Sequence, residues 1–346
     1  MANLKEIRNR IGTVKSTRKI TSAMSRIAAA RLRRAQTAME NARQYGVRMA
    51  AIVGEILREL DDPAAMHPML RGAGGPAPAT HLVMPGTPTK PGAVGFIVVT
   101  SERGLCGGFN SAVNRQVQRE IKALREQGRD VHVLTVGRKG RAYLKTYGQV
   151  ALAHHVAPTK SEEVVDTAKR VAFEAMALFA GTFTPEGAAA DTSDEAGEPK
   201  PTVKVDEVRL VFNYFRNVIT QEVRADRLLP VPIPESDESG DPSKDQAKAG
   251  DGQPRAAVTN AIRAFEPDTK QLLDHLLPVA VETAIQQALY NSVAAEVAAR
   301  RTAMDSATDN ATELIGELTL QYNRERQAAI TSELMEIIGG AEALKS

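Results

Sequence analysis

The sequence predicts an α/β protein with long helices, in which an antiparallel coiled coil of the N- and C-terminal helices flanks a central α/β domain. Three observations lead there. Both terminal stretches are poor in helix breakers and carry apolar residues stepping by three and four; the two stretches have opposite net charge; and strand and helix patterns alternate between them.

From Leu4 the steps run through Ile7, Ile11, Val14, Arg18, Thr21, Ser25, Ala28, Leu32, Ala35, Met39, Ala42, Gly46, Met49, Val53, Ile56 and Leu60, and the first proline is Pro63. At the polar interruption, Arg18 to Ser25, the apolar stripe is expected to move over to Ile20, Met24 and Ile27. At the other end, Val279 to Leu344 holds no proline, and Met304, Ala307, Ala311, Leu314 and Leu318 form a matching seam. At about 1.5 Å per residue these helices would be ~90 and ~100 Å long. A compact globule of this chain length has a radius of gyration of roughly 20 Å, so the pair must project as a rod. Beyond Leu318 the seam is expected to break, because Ile330 is out of phase and Gln321, Asn323, Arg324 and Arg326 lie between.

The charges support pairing of the two ends. Twelve Lys/Arg lie between Lys5 and Arg48 against Glu6 and Glu40, while from Val279 onward ten acids face five Lys/Arg. With a whole domain between them, an antiparallel arrangement closes more easily. The cluster Arg31, Arg33 and Arg34 fits a solvated face or an acidic protein partner. A nucleic-acid surface is less favoured, since no interleaved aromatics accompany it.

The middle of the chain reads as loop over Asp61–Gly92, then strand Val94–Thr100, helix Ser111–Gln127, strand Val131–Gly137, helix Lys139–Tyr147, a third strand within Gln149–Val156, and helix Ser161–Ala180. This alternation gives a parallel, Rossmann-like sheet, closed by a hairpin of Val208–Tyr214 and Ile219–Val223 around Arg216-Asn217. Two stretches rich in Gly, Pro, Ser and Asp lack core-forming residues and are expected to be disordered insertions. The expected division is an N-terminal coiled-coil helix over 1–62, a loop over 63–93, the central domain over 94–233 with one insertion at 185–203, a second insertion at 234–257, and a C-terminal coiled-coil helix over 258–346.

Composition narrows the function. The 346 residues carry a formal charge of +2, no Trp and one cysteine, which excludes an internal disulfide. No stretch approaches ~18 consecutive apolar residues. The Arg-rich start imitates a transit peptide, but its periodicity assigns it to the mature chain. The turn Gly104-Leu-Cys-Gly107-Gly108 stands where nucleotide folds cradle phosphate, yet it fits neither G-x-G-x-x-G nor G-x-x-x-x-G-K-[ST]; a tight structural turn is the favoured reading. Cys106 reads as buried, or with Arg103 nearby as a low-pKa thiol. His154 and His155 would point opposite ways on a strand, and the other histidines have no ligand spacing. No catalytic set, cofactor site or metal site is read.

Leu4–Leu32 (LKEIRNRIGTVKSTRKITSAMSRIAAARL), Glu102–Asn110 (ERGLCGGFN) and Ala303–Gly339 resemble the gamma subunit of F-type ATP synthases. The resemblance implies a non-catalytic rotor shaft that reaches into the ring of alpha and beta subunits, with its base beside the epsilon subunit and the membrane c-ring. It implies beta-subunit contact at Arg326, Gln327, Thr331 and Glu333, a shaft neck at Met24, and a c-ring-facing segment at Arg263, Phe265 and Glu266. It further implies a peripheral place on the cytoplasmic face of a bacterial inner membrane, a bacterium being favoured because the pattern starts almost at Met1. The two insertions and the loop Met69–Gly92 exceed the common bacterial pattern, and lack the cysteine pair of plant chloroplast versions. Rival readings are an autonomous nucleotide-dependent α/β enzyme with coiled-coil arms and a coiled-coil nucleic-acid binder.

Overall fold

The computed structural model describes residues 4–58, 60, 67–71, 92–185, 202–232 and 269–343. In chain order the elements are α1 (Leu4–Arg58), a single 3-10 turn (Pro68–Leu70), β1 (Val94–Val99), α2 (Phe109–Glu126), β2 (Val131–Val136), α3 (Arg138–Thr146), β3 (Ala153–His155), α4 (Ser161–Ala180), β4 (Glu207–Phe215), β5 (Gln221–Leu229) and α5 (Thr269–Ala343).

Every residue of β1 is buried, as a strand covered on both faces requires. It pairs in parallel with β2 and β4, β2 pairs in parallel with β3, and β5 closes the edge antiparallel to β4. The order β3-β2-β1-β4-β5 is the doubly wound pattern, with its reversal point between β1 and β4. Alternation along β1 serves two cores. Val94, Phe96 and Val98 join Val113, Val117 and Ile121 of α2. Ile97 and Val99 join α4, α5 and the stretch Ala28–Ala35 of α1. Gly95 lets α4 lie close, since a Cβ there would be 3.0 Å from Leu178 Cδ2.

The terminal helices pair antiparallel, for Thr21 meets Thr308 while Gly46 lies against Gln287. Seventeen of the positions stepped off from Leu4 to Leu60 are buried or half-buried, so the seam follows that count. It does not move over at the interruption. Ile20 and Ile27 are 59% and 54% exposed, whereas Thr21 and Ser25 are each only 8% exposed. Thr21 Oγ1 lies 2.7 Å from Thr308 Oγ1, and Ser25 Oγ donates to Asp305 Oδ1 at 2.5 Å. A polar side chain with a partner costs little in a seam, and a shift would break phase with Val14 below and Ala28 above.

The expected phase break beyond Leu318 has a different cause. Seventeen residues back from Thr21 is Leu4, and seventeen on from Thr308 is Glu325. Among the described residues, α5 has therefore run past its partner, and from Arg326 it continues as a single helix whose side chains are almost all exposed.

At the foot, α5 starts ten residues before Val279 and passes through Pro278. Pro68–Leu70 is ordered within the expected loop: Leu70 packs with Val53, Ile56, Leu57, Leu273 and Leu277, and Val231 N donates to Met69 O at 2.8 Å. His67 adds a contact to Asp274 at 3.3 Å. Val203, at the end of the first expected insertion, bridges to Phe183. The rest of that insertion (186–201) and all of 234–257 lie outside the described residues. β5 is longer than expected because Arg224–Arg227 is exposed at the sheet edge and shows no apolar alternation.

Candidate functional site

The turn after β1 is built to be tight. Leu105 and Gly107 have φ of 65° and 56°. Ser101 N donates to Asn110 Oδ1 at 3.0 Å, Ser101 Oγ donates to Arg103 O at 2.6 Å, and Asn110 Nδ2 donates to Cys106 Sγ at 3.2 Å. Burial pushes the Cys106 thiol up, against the opposing pull of Ser101, which removes the low-pKa reading.

In doubly wound folds ligands enter the crevice at the reversal point. Here α5 runs across it. Arg300 Nη2 donates to Gly104 O after β1 at 3.3 Å, Thr302 Oγ1 donates to Val218 O after β4 at 3.4 Å, and Phe215 N donates to Asn291 Oδ1 at 3.4 Å. Arg300 also pairs with Glu296 at 2.6 Å. Burial pushes the Glu296 carboxyl up while Arg300 pulls it down, and burial prevails. Glu296 and Arg300 escaped the sequence reading, because an i,i+4 pair looks the same on a solvated face.

Met24 is half-buried and lines a cavity of about 320 Å³ with Ile27, Arg31, Arg103, Leu105 and Arg300. It therefore sits where α1, α5 and the turn after β1 converge. Thr21, which pairs with Thr308, lies about one turn before Met24, and Ser25, which pairs with Asp305, directly follows it. They were also missed, although the unbroken three-four spacing through Thr21 and Ser25 was the available signal.

Arg326, Gln327, Thr331 and Glu333 are exposed on the single-helix end of α5, and Thr331 Oγ1 donates to Gln327 O at 2.9 Å. At about 100° per residue, Arg326 and Glu333 share one line of the helix while Gln327 and Thr331 share another. The set thus wraps roughly 160° of the surface. Ile330, Leu334, Met335, Ile337 and Ile338 are exposed beside it. Arg263, Phe265 and Glu266 lie outside the described residues.

His154 meets Thr135 at 3.1 Å and His155 meets Glu174 at 2.7 Å, so the two rings serve different partners. Among the described residues no group of three His, Cys, Asp or Glu could hold a metal, and no helix is long and apolar enough to cross a membrane.

Comparison with known proteins decides the family. The ATP synthase family model matches residues 3–344. The ATP synthase gamma chain of Phenylobacterium zucineum is 40% identical over 345 residues, covering 99% of this chain and 100% of that one. The chain belongs to the ATP synthase gamma-chain family. The gamma chain of Sorangium cellulosum is 39% identical over 352 residues, with both chains covered in full. Among solved structures, the fold is similar to a chain of the Euglena gracilis mitochondrial ATP synthase OSCP/F1/c-ring (TM-score 0.54, 18% identity, 99% of this chain and 94% of that one). It is similar also to a chain of the Euglena gracilis rotor (TM-score 0.53, 16% identity, 94% and 98%). This chain thus combines a doubly wound domain with a two-helix shaft laid across its crevice.

Proposed function

We infer that this gamma chain is the central-stalk rotor subunit of a proton-translocating F-type ATP synthase, carrying torque between the membrane c-ring and the catalytic alpha/beta head. It is a non-catalytic subunit. The observation that carries the reading is a paired, projecting shaft in a chain matched end to end by gamma chains. Alpha, beta and epsilon subunits and the c-ring are its partners, and its place is peripheral, on the cytoplasmic face of a bacterial inner membrane. The rival autonomous enzyme finds no support: its relatives are gamma chains, and the crevice such an enzyme would use holds α5.

Arg326, Gln327, Thr331 and Glu333 are proposed to engage a beta-subunit loop. Polar, charge-assisted hydrogen bonds suit a contact that must be made and released, since water replaces them readily. Met24 marks the neck, and Arg263, Phe265 and Glu266 are proposed to face the c-ring. The test is Arg326→Ala with Gln327→Ala. Helicity and melting of the isolated chain should stay unchanged, and the alpha/beta head should assemble with normal stoichiometry but hydrolyse ATP more slowly. Full activity would remove these residues from the mechanism, and failed assembly would make them structural. If the chain does not co-purify with alpha and beta subunits at all, the rotor reading itself falls.

A further inference from the structure

We propose that the cleft between α2 and α3 is a binding site for a small aromatic anion, a free ligand with a flat ring system and a carboxylate, sulfonate or phosphate group. The cleft opens on the α2 face of the sheet, whereas the shaft packs against the core of the opposite face. Its volume is about 410 Å³, within the range of small-molecule sites, which are mostly apolar with a few placed polar groups. This cleft has that construction. Ile121 and Leu144, both buried, line its floor. Tyr143 and Tyr147 line the α3 side with ring centres 4.7 Å apart. The Tyr143 hydroxyl is held, donating to Gln118 Oε1 at 2.6 Å. Tyr147 is 54% exposed, so its ring has area left for a second aromatic system to cover.

Charge comes from α2, whose Lys122 and Arg125 line the cleft. Arg125 Nη2 donates to Gln149 Oε1, and the buried Gln149 is itself anchored through Nε2 to Val131 O at 3.1 Å. A neutral amide thus holds the guanidinium in place and leaves its charge uncancelled. Among the described residues Glu126 is the one acid of the lining, and it meets Lys122 at only 3.9 Å with both side chains largely exposed. Such a pair is weak, and a ligand's anion can displace it. The other flank of α2 shows the contrast. There Arg209 pairs with Glu207 at 2.7 Å and with Glu120 at 3.3 Å, and Arg129 with Glu207 at 3.4 Å. Those charges cancel within the chain, whereas the α2–α3 cleft draws its complement from outside. A cationic ligand would be repelled by Lys122 and Arg125, and a neutral ring would leave their charge unused.

The first experiment uses the full, isolated chain, so its outcome is independent of whether the chain is a rotor. The chain contains no Trp, so Tyr147→Trp places a single indole at the cleft while keeping an aromatic ring there. The probe is 8-anilinonaphthalene-1-sulfonate, and energy transfer from the indole should report saturable binding at this place. Adding Lys122→Gln with Arg125→Gln should weaken that binding by about tenfold or more. N-phenyl-1-naphthylamine, the same rings without the sulfonate, should change by less than about twofold, because it does not use the two cations. Absence of saturable transfer, or equal weakening of both probes, overturns the proposal. Should circular dichroism show that the double substitution lowers helicity, Lys122→Gln alone is read with the same two probes, and equal effects on both again overturn it. A second arm uses the assembled ATP synthase and rests on the rotor reading. Complex with the native chain should bind one more equivalent of the sulfonate than complex carrying Lys122→Gln with Arg125→Gln. Equal binding by the two complexes, with the site occupied in the isolated chain, would assign the cleft to a neighbouring subunit and overturn the free-ligand proposal.

Discussion

At the scale of single residues, two glycines show how context decides the sign of one substitution. Gly137 has φ of 98°, and a Cβ there would sit 2.2 Å from the Thr100 carbonyl oxygen. Gly137→Ala should cost ~3 kcal/mol or more of stability by chemical denaturation, because both the backbone region and the space are closed to it. Gly12 lies exposed in α1, with nothing within 4 Å of its Cβ position. Gly12→Ala should instead stabilise by about 1 kcal/mol, through helix propensity and lost freedom in the unfolded chain. Histidines supply a pH dependence. Burial holds His67, His132 and His154 below the usual imidazole value, outweighing the upward pull of Asp274 on His67 and of Asp130 on His132. Their unfolded forms therefore take up protons first, so stability is complete above a pH of about 6.5 and declines as pH falls below it. The urea midpoint should drop between pH ~7 and ~5, ahead of carboxylate titration; a flat profile over that range would contradict the three burial effects.

At the scale of elements, the shaft was the most legible part. The three-four count from Leu4 names the buried face of α1 position by position, because a coiled-coil seam is a local periodicity. What hydropathy cannot register is whether a polar residue has a partner 280 positions away, as Ser25 has in Asp305. That is why the stripe was expected at Ile20 and Ile27. β5 was cut short for the opposite reason, since an edge strand needs no apolar face to be held by its neighbour. Leu318 and Leu320 test the seam two residues apart. Leu318 is 6% exposed and Leu320 73%. Leu318→Asp should cost several kcal/mol and fray the outer shaft while the α/β domain stays folded. Leu320→Asp should stay within about 0.5 kcal/mol. Equal loss of helicity in both would place the seam elsewhere.

At the scale of the molecule, the beta contact proposed for Arg326, Gln327, Thr331 and Glu333 comes from resemblance, and its setting depends on something no local window contains: which of two antiparallel helices ends first. α5 has 75 residues and α1 has 55. Because, among the described residues, α5 is alone beyond Glu325, a chain ending there should keep the melting temperature of the full chain and lose only the helicity of the missing turns. A fall of more than a few degrees would mean that the end packs on something. The unequal lengths give the shaft a stepped profile, with a mechanical consequence. Resistance to twisting rises steeply with radius. Two helices set about 8–10 Å apart form a stout section, while a lone helix has a backbone radius of only about 2.3 Å. Leverage accordingly resides below Glu325. The slender spindle above it is too thin to push, but it can keep the axis centred and carry an angular mark, as the pointer on a dial does.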